Sequence, residues 1–243
     1  MRVKLFFTVD AVDPSAIQQC TVAVVDVLRA TSTIVEALAN GARAIYPTAG
    51  SEEAIKLASS LGRDDTLLCG ERRALKIEGY DLGNSPREFT PEKVGDKRLV
   101  MNTTNGTRTF LAATGASRVV AASFLNMGAV ARSVGHVEEL AVLCAGREGR
   151  FALDDAICAG MLLHRIGRER DGHPGGRAWT LDDAATAALA LAEPTSMDTS
   201  FLAGTEAGEK LKGLGLGADV ELCARLDRHD IVPEMHDRMI QLT

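Results

Sequence analysis

The sequence predicts a three-layer α/β/α protein, built from two similar strand–helix repeats around a mostly parallel sheet. Three observations predict it. Apolar, β-branched runs recur along the chain. Several are apolar throughout, as strands covered on both faces are. Helical patterns with start and stop signals separate many of them, which is the alternation of a layered α/β fold. The 243 residues are enough for one large α/β domain or two small ones.

The strand-like runs, in order, are VKLFFT (3–8), TVAVVD (21–26), ARAIY (42–46), TLLC (66–69), RLVMN (98–102), RVVAA (118–122) and ELAVLC (139–144). In TIVEALANG (33–41), Thr33 and Glu36 fit a capping box, Ile34 and Leu38 share a face, and Asn40-Gly41 closes the helix. In SEEAIKLASSLG (51–62), Ser51 is the expected cap, two acids favour the N-terminus, and Gly62 is the stop. Beyond Gly172 the character changes. HPGG (173–176) reads as a loop, segments from Leu181, Phe201 and Asp219 read as helices, and RMIQL (238–242) reads as a last short strand. The expected organisation is a first α/β half over 1–95, a second over 96–172, and a helical segment over 173–243 packing on both.

The repeat places VDVLRATSTIVEALANGA (25–42) over LVMNTTNGTRTFLAATGA (99–116). Gly41 then falls on Gly115 and Thr33 on Thr107, and each copy runs on to a strand ending in cysteine, CGER at 69–72 and CAGR at 144–147. The reading predicts two similar half-sheets whose polar loops face one cleft, although βαβ units resemble one another in any case.

Formal charge is −6, the isoelectric point is about 5.4, and no block of like charge appears, so neither nucleic acid nor a membrane surface is an expected partner. The five cysteines are odd in number and form no C-x-x-C pair. With no bilayer-length apolar run and no leader-like start, they suggest free thiols in a cytoplasmic protein.

Four stretches could carry chemistry. In VVDVLRATST (24–33), Asp26 ends a strand, Arg29 can fork onto an anion, and Thr31, Ser32 and Thr33 open the next helix. The same loop could equally be a helix start with Asp26 paired to Arg29. In NTTNGTR (102–108), Thr104, Asn105 and Thr107 are neutral hydrogen-bonders, and Gly106 permits close backbone approach. An Asn-Gly turn would read the same way. GERR (70–73) offers Glu71, Arg72 and Arg73, followed by the loop formers of GYDLGNSPRE (79–88). CAGREGRFALDDAICAG (144–160) offers Arg147, helix-start acids Asp154 and Asp155, and a C-x5-R spacing from Cys144 to Arg150 that thiolate phosphatases use. Asp154 reads best as a helix-start acid and Asp155 as the better metal ligand. There is no P-loop, G-x-G-x-x-G, G-x-S-x-G or HExxH.

Taken in order, VDVLRATSTI (25–34), GERR with GYDLGNSPRE, TTNGT (103–107), GRFALDDAICAG (149–160) and CARLDRHDIVP (223–233) resemble the 2-phosphosulfolactate phosphatase family over nearly the whole chain. Asp154 stands where the family pattern carries Glu. The resemblance implies an α/β fold of two related halves and a Mg²⁺-dependent hydrolase that removes phosphate from phosphosulfolactate, as in coenzyme M biosynthesis. For such a reaction the expected catalytic groups are Asp26, Arg29 and Glu71, with Mg²⁺ expected among Asp26, Glu71 and Asp155. The substrate's anionic groups would meet Arg29, Thr31–Thr33, Arg72, Arg147 and the Thr104–Thr107 turn. Two rivals are a phosphatase for a related phosphoester and a non-catalytic receptor for a phosphorylated or sulfonated metabolite. Homo-oligomer formation stays open.

Overall fold

In a computed structural model the described residues are 1–171, 179–193 and 199–242. Along the chain they form β1 (Arg2–Phe6), α1 (Pro14–Ile17), β2 (Thr21–Val25), α2 (Ala30–Ala39), β3 (Ala44–Pro47), α3 (Ser51–Leu61), β4 (Thr66–Arg72) and β5 (Leu75–Lys76). There follow α4 (Pro91–Val94), β6 (Arg98–Asn102), α5 (Gly106–Ala112), β7 (Arg118–Ala122), α6 (Met127–Val134), β8 (Glu139–Cys144) and α7 (Leu153–Asp171). The last stretch contains β9 (Thr180–Leu181), α8 (Asp183–Ala192), α9 (Thr199–Gly204), α10 (Glu206–Gly213), α11 (Gly217–Cys223), β10 (Glu234–His236) and β11 (Met239–Gln241). All seven strand-like runs form strands, and the expected last short strand forms as β11. The expected loop at 173–176 lies outside the described residues.

The strands make one sheet of eleven, ordered β5-β4-β6-β3-β11-β10-β7-β2-β8-β1-β9. Two parallel blocks, β4-β6-β3 and β7-β2-β8-β1, are joined by the antiparallel hairpin β10–β11. Arg118 of β7 pairs with Glu234 of β10 across this seam. The middle strand of each block comes from the other sequence repeat: β6 lies between β3 and β4, and β2 between β7 and β8.

The registers refine the sequence repeat. Ala44 and Thr66 both lie opposite Arg98, while Arg118 and Leu140 both lie opposite Thr21. Thr21 is therefore the counterpart of Arg98, and the alignment shifts by three residues across the helices because α2 has 10 residues and α5 has 7. Counted from the first residue of each helix, Thr107 matches Thr31 rather than Thr33. Each donates its hydroxyl back to the end of its strand, Thr31 to the Asp26 carbonyl at 2.9 Å and Thr107 to the Thr103 carbonyl at 3.1 Å.

Alternation along β2 builds the layers. Val22 and Val24 pack with Ile34, Leu38 and Phe110 of α2 and α5. Ala23 and Val25 pack on the opposite face with Val130, Ile157 and Leu163 of α6 and α7. Every residue of β2 is buried, as a strand inside a three-layer stack must be. A wholly buried Phe110 or Ile34 contributes roughly 1.5–3 kcal/mol by burial alone, and Phe110→Ala would cost about 3–5 kcal/mol once the cavity is counted.

Two predicted caps are corrected. α2 starts at Ala30, so Thr33 is already inside the helix and donates to the Asn84 carbonyl at 2.9 Å. Glu36 is not its capping partner: it is buried and meets Arg228 at 2.7 Å and His229 at 2.8 Å. In α3 the cap position belongs to Gly50, and Ser51 is the first helical residue. The Ala49 amide there is satisfied by Glu53 at 2.8 Å, so no serine cap is needed. Asn40-Gly41 and Gly62 end their helices as expected.

Candidate active site

The carboxyl ends of the parallel strands converge on one polar cleft with about 550 Å³ of empty space, its open mouth included. β2 brings Asp26 and Arg29, β4 brings Glu71, the β6–α5 turn brings Thr103, Thr104 and Asn105, and the loop after β8 brings Arg147 and Glu148. The helical C-terminal segment closes one wall with Lys210 of α10.

Asp26 follows the buried strand β2 and is itself 8% exposed. Its Oδ1 accepts the Ala30 amide at 3.2 Å, so the carboxylate takes the place at the start of α2 that the sequence reserved for a threonine. Its Oδ2 accepts no hydrogen bond among the described residues. Burial pushes its pKa up to about 7, and the charges of Asp154 and Glu71 add to the rise. The first turn of α5 comes so close that a Cβ on Gly106 would lie 2.6 Å from Oδ2 and 2.4 Å from the Ala30 Cβ. Gly106 therefore serves the approach of α5 to Asp26.

Glu71 is fixed at both oxygens by backbone amides, Ala74 at 2.7 Å and Thr104 at 2.7 Å. It thus ties the β4–β5 turn to the β6–α5 turn. Its placement requires Gly70, whose φ is +151° and where any Cβ would fall 1.9 Å from the Asn102 carbonyl oxygen. Arg73 and Ala74 make the two-residue hairpin loop with φ of 54° and 72°, the left-handed pair such tight hairpins need.

Arg29 is 4% exposed and bonds to Asp219 Oδ2 at 2.7 Å and to the Ala74 carbonyl at 2.6 Å. Asp219 is fully buried on α11, and its Oδ1 accepts the Ser85 hydroxyl at 2.7 Å. The sequence reading missed this anchor. Asp219, Leu222 and Cys223 share one helical face, so an acid inside an apolar stripe was the available signal.

Other predicted residues have different surroundings. The hydroxyls of Thr31, Ser32 and Thr33 are buried and all point to backbone carbonyls, leaving no side-chain donor for a ligand. Thr107 is likewise turned inward. Arg72 is exposed and does not line the cleft; its neighbour Arg73 does. Asp155 accepts the Val27 amide at 2.9 Å and the Gly146 amide at 3.0 Å, so it clamps the ends of β2 and β8 together. Burial and the charges of Asp154 and Asp26 hold its pKa well above the usual carboxylate range. Asp154 is pushed up to about 6, mainly by burial. Cys144 is fully buried, and burial with the nearby Asp155 holds its thiol protonated, which removes the C-x5-R thiolate reading.

Two observations point to a ligand. The first is that Asn84 Oδ1, Thr104 Oγ1 and Arg147 Nη1 are buried atoms with no hydrogen-bond partner among the described residues, and all three residues line the cleft. Arg147 Nη1 does lie 2.9 Å from Glu206 Oε1, so that ion pair is one of proximity without hydrogen-bond alignment. The second is that four cationic side chains, Arg29, Arg73, Arg147 and Lys210, border the cleft beside Asp26. No three His, Cys, Asp or Glu residues are grouped as a complete metal cage among the described residues. The donor chemistry nevertheless suits a hard divalent cation. Asp26 and Asp154 are buried carboxylates that repel each other, and Mg²⁺ is ordinarily held by one or two carboxylates with water and substrate phosphate completing its shell.

A parallel α/β sheet with cations and a free carboxylate oxygen at its strand ends defines a site for chemistry on a small anion. The sequence pattern of the 2-phosphosulpholactate phosphatase family matches residues 6–238, and the chain belongs to that family. It is 35% identical over 241 residues to a probable 2-phosphosulfolactate phosphatase of Clostridium beijerinckii, covering 99% of each chain. It is 41% identical to one of Gloeobacter violaceus, covering 96% of this chain and 94% of that one, and 39% identical to one of Synechococcus sp. (strain JA-2-3B'a(2-13)), covering 96% and 95%. No helix among the described residues is long and apolar enough to cross a membrane.

Proposed function

We propose that the chain is a Mg²⁺-dependent phosphatase that hydrolyses 2-phospho-3-sulfolactate to 3-sulfolactate and inorganic phosphate, in the cytoplasm, as a step of the coenzyme M biosynthesis type. Family membership supports phosphomonoester hydrolysis. The observation that carries the residue-level reading is the unengaged Oδ2 of Asp26 in a cleft bordered by four cations.

The reaction breaks the bond between phosphorus and the bridging ester oxygen and gives phosphorus a new oxygen from water. Asp26 Oδ2 is the group placed to act on phosphorus or on the attacking water. In the first route the carboxylate attacks, and water later hydrolyses the aspartyl-phosphate. In the second the carboxylate takes the proton of the attacking water. Rapid-quench labelling separates the routes, because only the first leaves phosphate on the protein. Arg29, held at two points, meets the phosphoryl oxygens without having to reorganise. Asp26 would hold Mg²⁺ together with Asp154, while Glu71 and Asp155 keep the surrounding turns in place. When bound, Mg²⁺ would polarise the phosphoryl group and neutralise charge on the leaving oxygen.

A phosphate-release screen over small phosphomonoesters, with Mg²⁺ and with EDTA, tests the reading. Phosphosulfolactate should be the best substrate and EDTA should stop its turnover. Binding without phosphate release would favour a metabolite receptor instead.

A further inference from the structure

Four cations border the cleft alongside the carboxylates of Asp26, Glu71 and Glu148, and they are not all compensated alike. Arg29 is neutralised by the buried Asp219. Arg147 lies against Glu206. Lys210 has no acidic partner among the described residues, although it is only partly exposed and lines the cleft. On α10, Ala207, Lys210 and Leu211 occupy one helical face, and all three border the cleft. Arg73 also has no acidic partner among the described residues but is exposed on the strand side, whereas Lys210 is only partly exposed, beside Ala207 and Leu211 and one turn beyond Glu206. The other cleft groups come from the strand-end loops, so α10 is a separate wall from those that surround Asp26.

We propose that Lys210 is the specificity residue that reads a second anionic group on the substrate, attached to the carbon skeleton and distinct from the phosphate. The inference rests on the phosphatase reading and assigns to Lys210 the discrimination between phosphomonoesters of small acids and those of neutral alcohols. Arg147, whose Nη1 makes no hydrogen bond among the described residues although Glu206 lies 2.9 Å away, supplies a further donor to that second group. Lys212, two residues on, is exposed and donates to the Ala203 carbonyl at 3.3 Å, so it serves as an internal control.

The experiment compares wild type with Lys210→Met, Lys210→Arg and Lys212→Met on phosphosulfolactate and on p-nitrophenyl phosphate, which has no second anion. For Lys210→Met, KM for phosphosulfolactate should rise about tenfold or more with kcat within about threefold. Its KM for p-nitrophenyl phosphate should not change. Lys210→Arg should recover most of the loss, and Lys212→Met should behave as wild type. An equal KM change on both substrates, or none on either, would overturn the assignment. Calorimetric binding of 3-sulfolactate, which carries the second anion but no phosphate, gives a readout independent of turnover. Lys210→Met should weaken it about tenfold, and unchanged binding would also refute the role. If wild type releases no phosphate from either ester, the phosphatase reading fails, while the binding measurement still decides the role of Lys210.

Discussion

The carboxylate of Asp219 holds the guanidinium of Arg29 at 2.7 Å, with the two side chains 1% and 3% exposed. The pair joins the loop after β2 to α11, the last helix among the described residues, and it keeps Arg29 in the cleft with its charge balanced. A buried pair of this kind adds little net stability, but removing one partner strands the other.

Asp219→Ala should therefore destabilise the fold by about 3–5 kcal/mol, read by urea unfolding monitored by circular dichroism. Asp219→Asn, which keeps the shape and can still accept from Ser85, should cost less but lower kcat/KM by loosening Arg29. If both variants unfold like wild type, the pair is not buried as described.

Gly106→Ala tests the approach of α5 to Asp26. The added methyl would meet Asp26 Oδ2 and the Ala30 Cβ inside van der Waals contact, so a cost of about 1–3 kcal/mol and a large loss of kcat are expected. Gly213→Ala, where a Cβ meets nothing within 4 Å, is the matched control and should be close to neutral. Full activity in Gly106→Ala would mean that Asp26 tolerates displacement.

Stability should fall as pH rises from about 4 to about 7 in the absence of divalent cations. Asp26, Asp154 and Asp155 all have folded pKa values above the ordinary 3.8. Between the unfolded and folded values the native state holds protons that the unfolded chain has released, so each such group lowers stability by roughly 1.4 kcal/mol per pH unit. The loss is complete above the folded values. In EDTA the melting temperature should be higher at pH 5 than at pH 8, Asp26→Asn should flatten the dependence, and added Mg²⁺ should raise the pH 8 value. A melting temperature that climbs from pH 5 to pH 8 in EDTA would contradict the buried-carboxylate description.

Cys144→Ala should retain most phosphatase activity, at a stability cost of about 1 kcal/mol for the small volume lost. Complete loss of turnover with the fold intact would restore a thiolate mechanism.

Strand positions were legible because each central strand is covered on both faces and so reads as an unbroken apolar run. Asp26, Arg29 and Glu71 were legible because strand ends in a parallel sheet are where polar residues gather for ligands. The helix starts were less so. Thr33 and Glu36 have the spacing of a capping box, but tertiary contacts with Asn84, Arg228 and His229 use those side chains instead. Thr31–Thr33 carry hydroxyls that a chain reading assigns to ligand and a packed interior assigns to nearby carbonyls. The roles of Asp219 and Lys210 were hidden for a different reason. Asp219 stands out as an acid in an apolar stripe, but its partner Arg29 is 190 residues away, Lys210 enters the cleft lining on α10, and local pattern carries no record of such meetings.

The most direct test of Asp26 as the reactive carboxylate is the rate of phosphate release from phosphosulfolactate by wild type and Asp26→Asn, each with Mg²⁺ and with EDTA, on proteins of matched melting behaviour. Wild type should turn over only with Mg²⁺, and Asp26→Asn should fall at least about a thousandfold, roughly 4 kcal/mol of lost transition-state stabilisation. Turnover by Asp26→Asn near the wild-type rate would contradict the account.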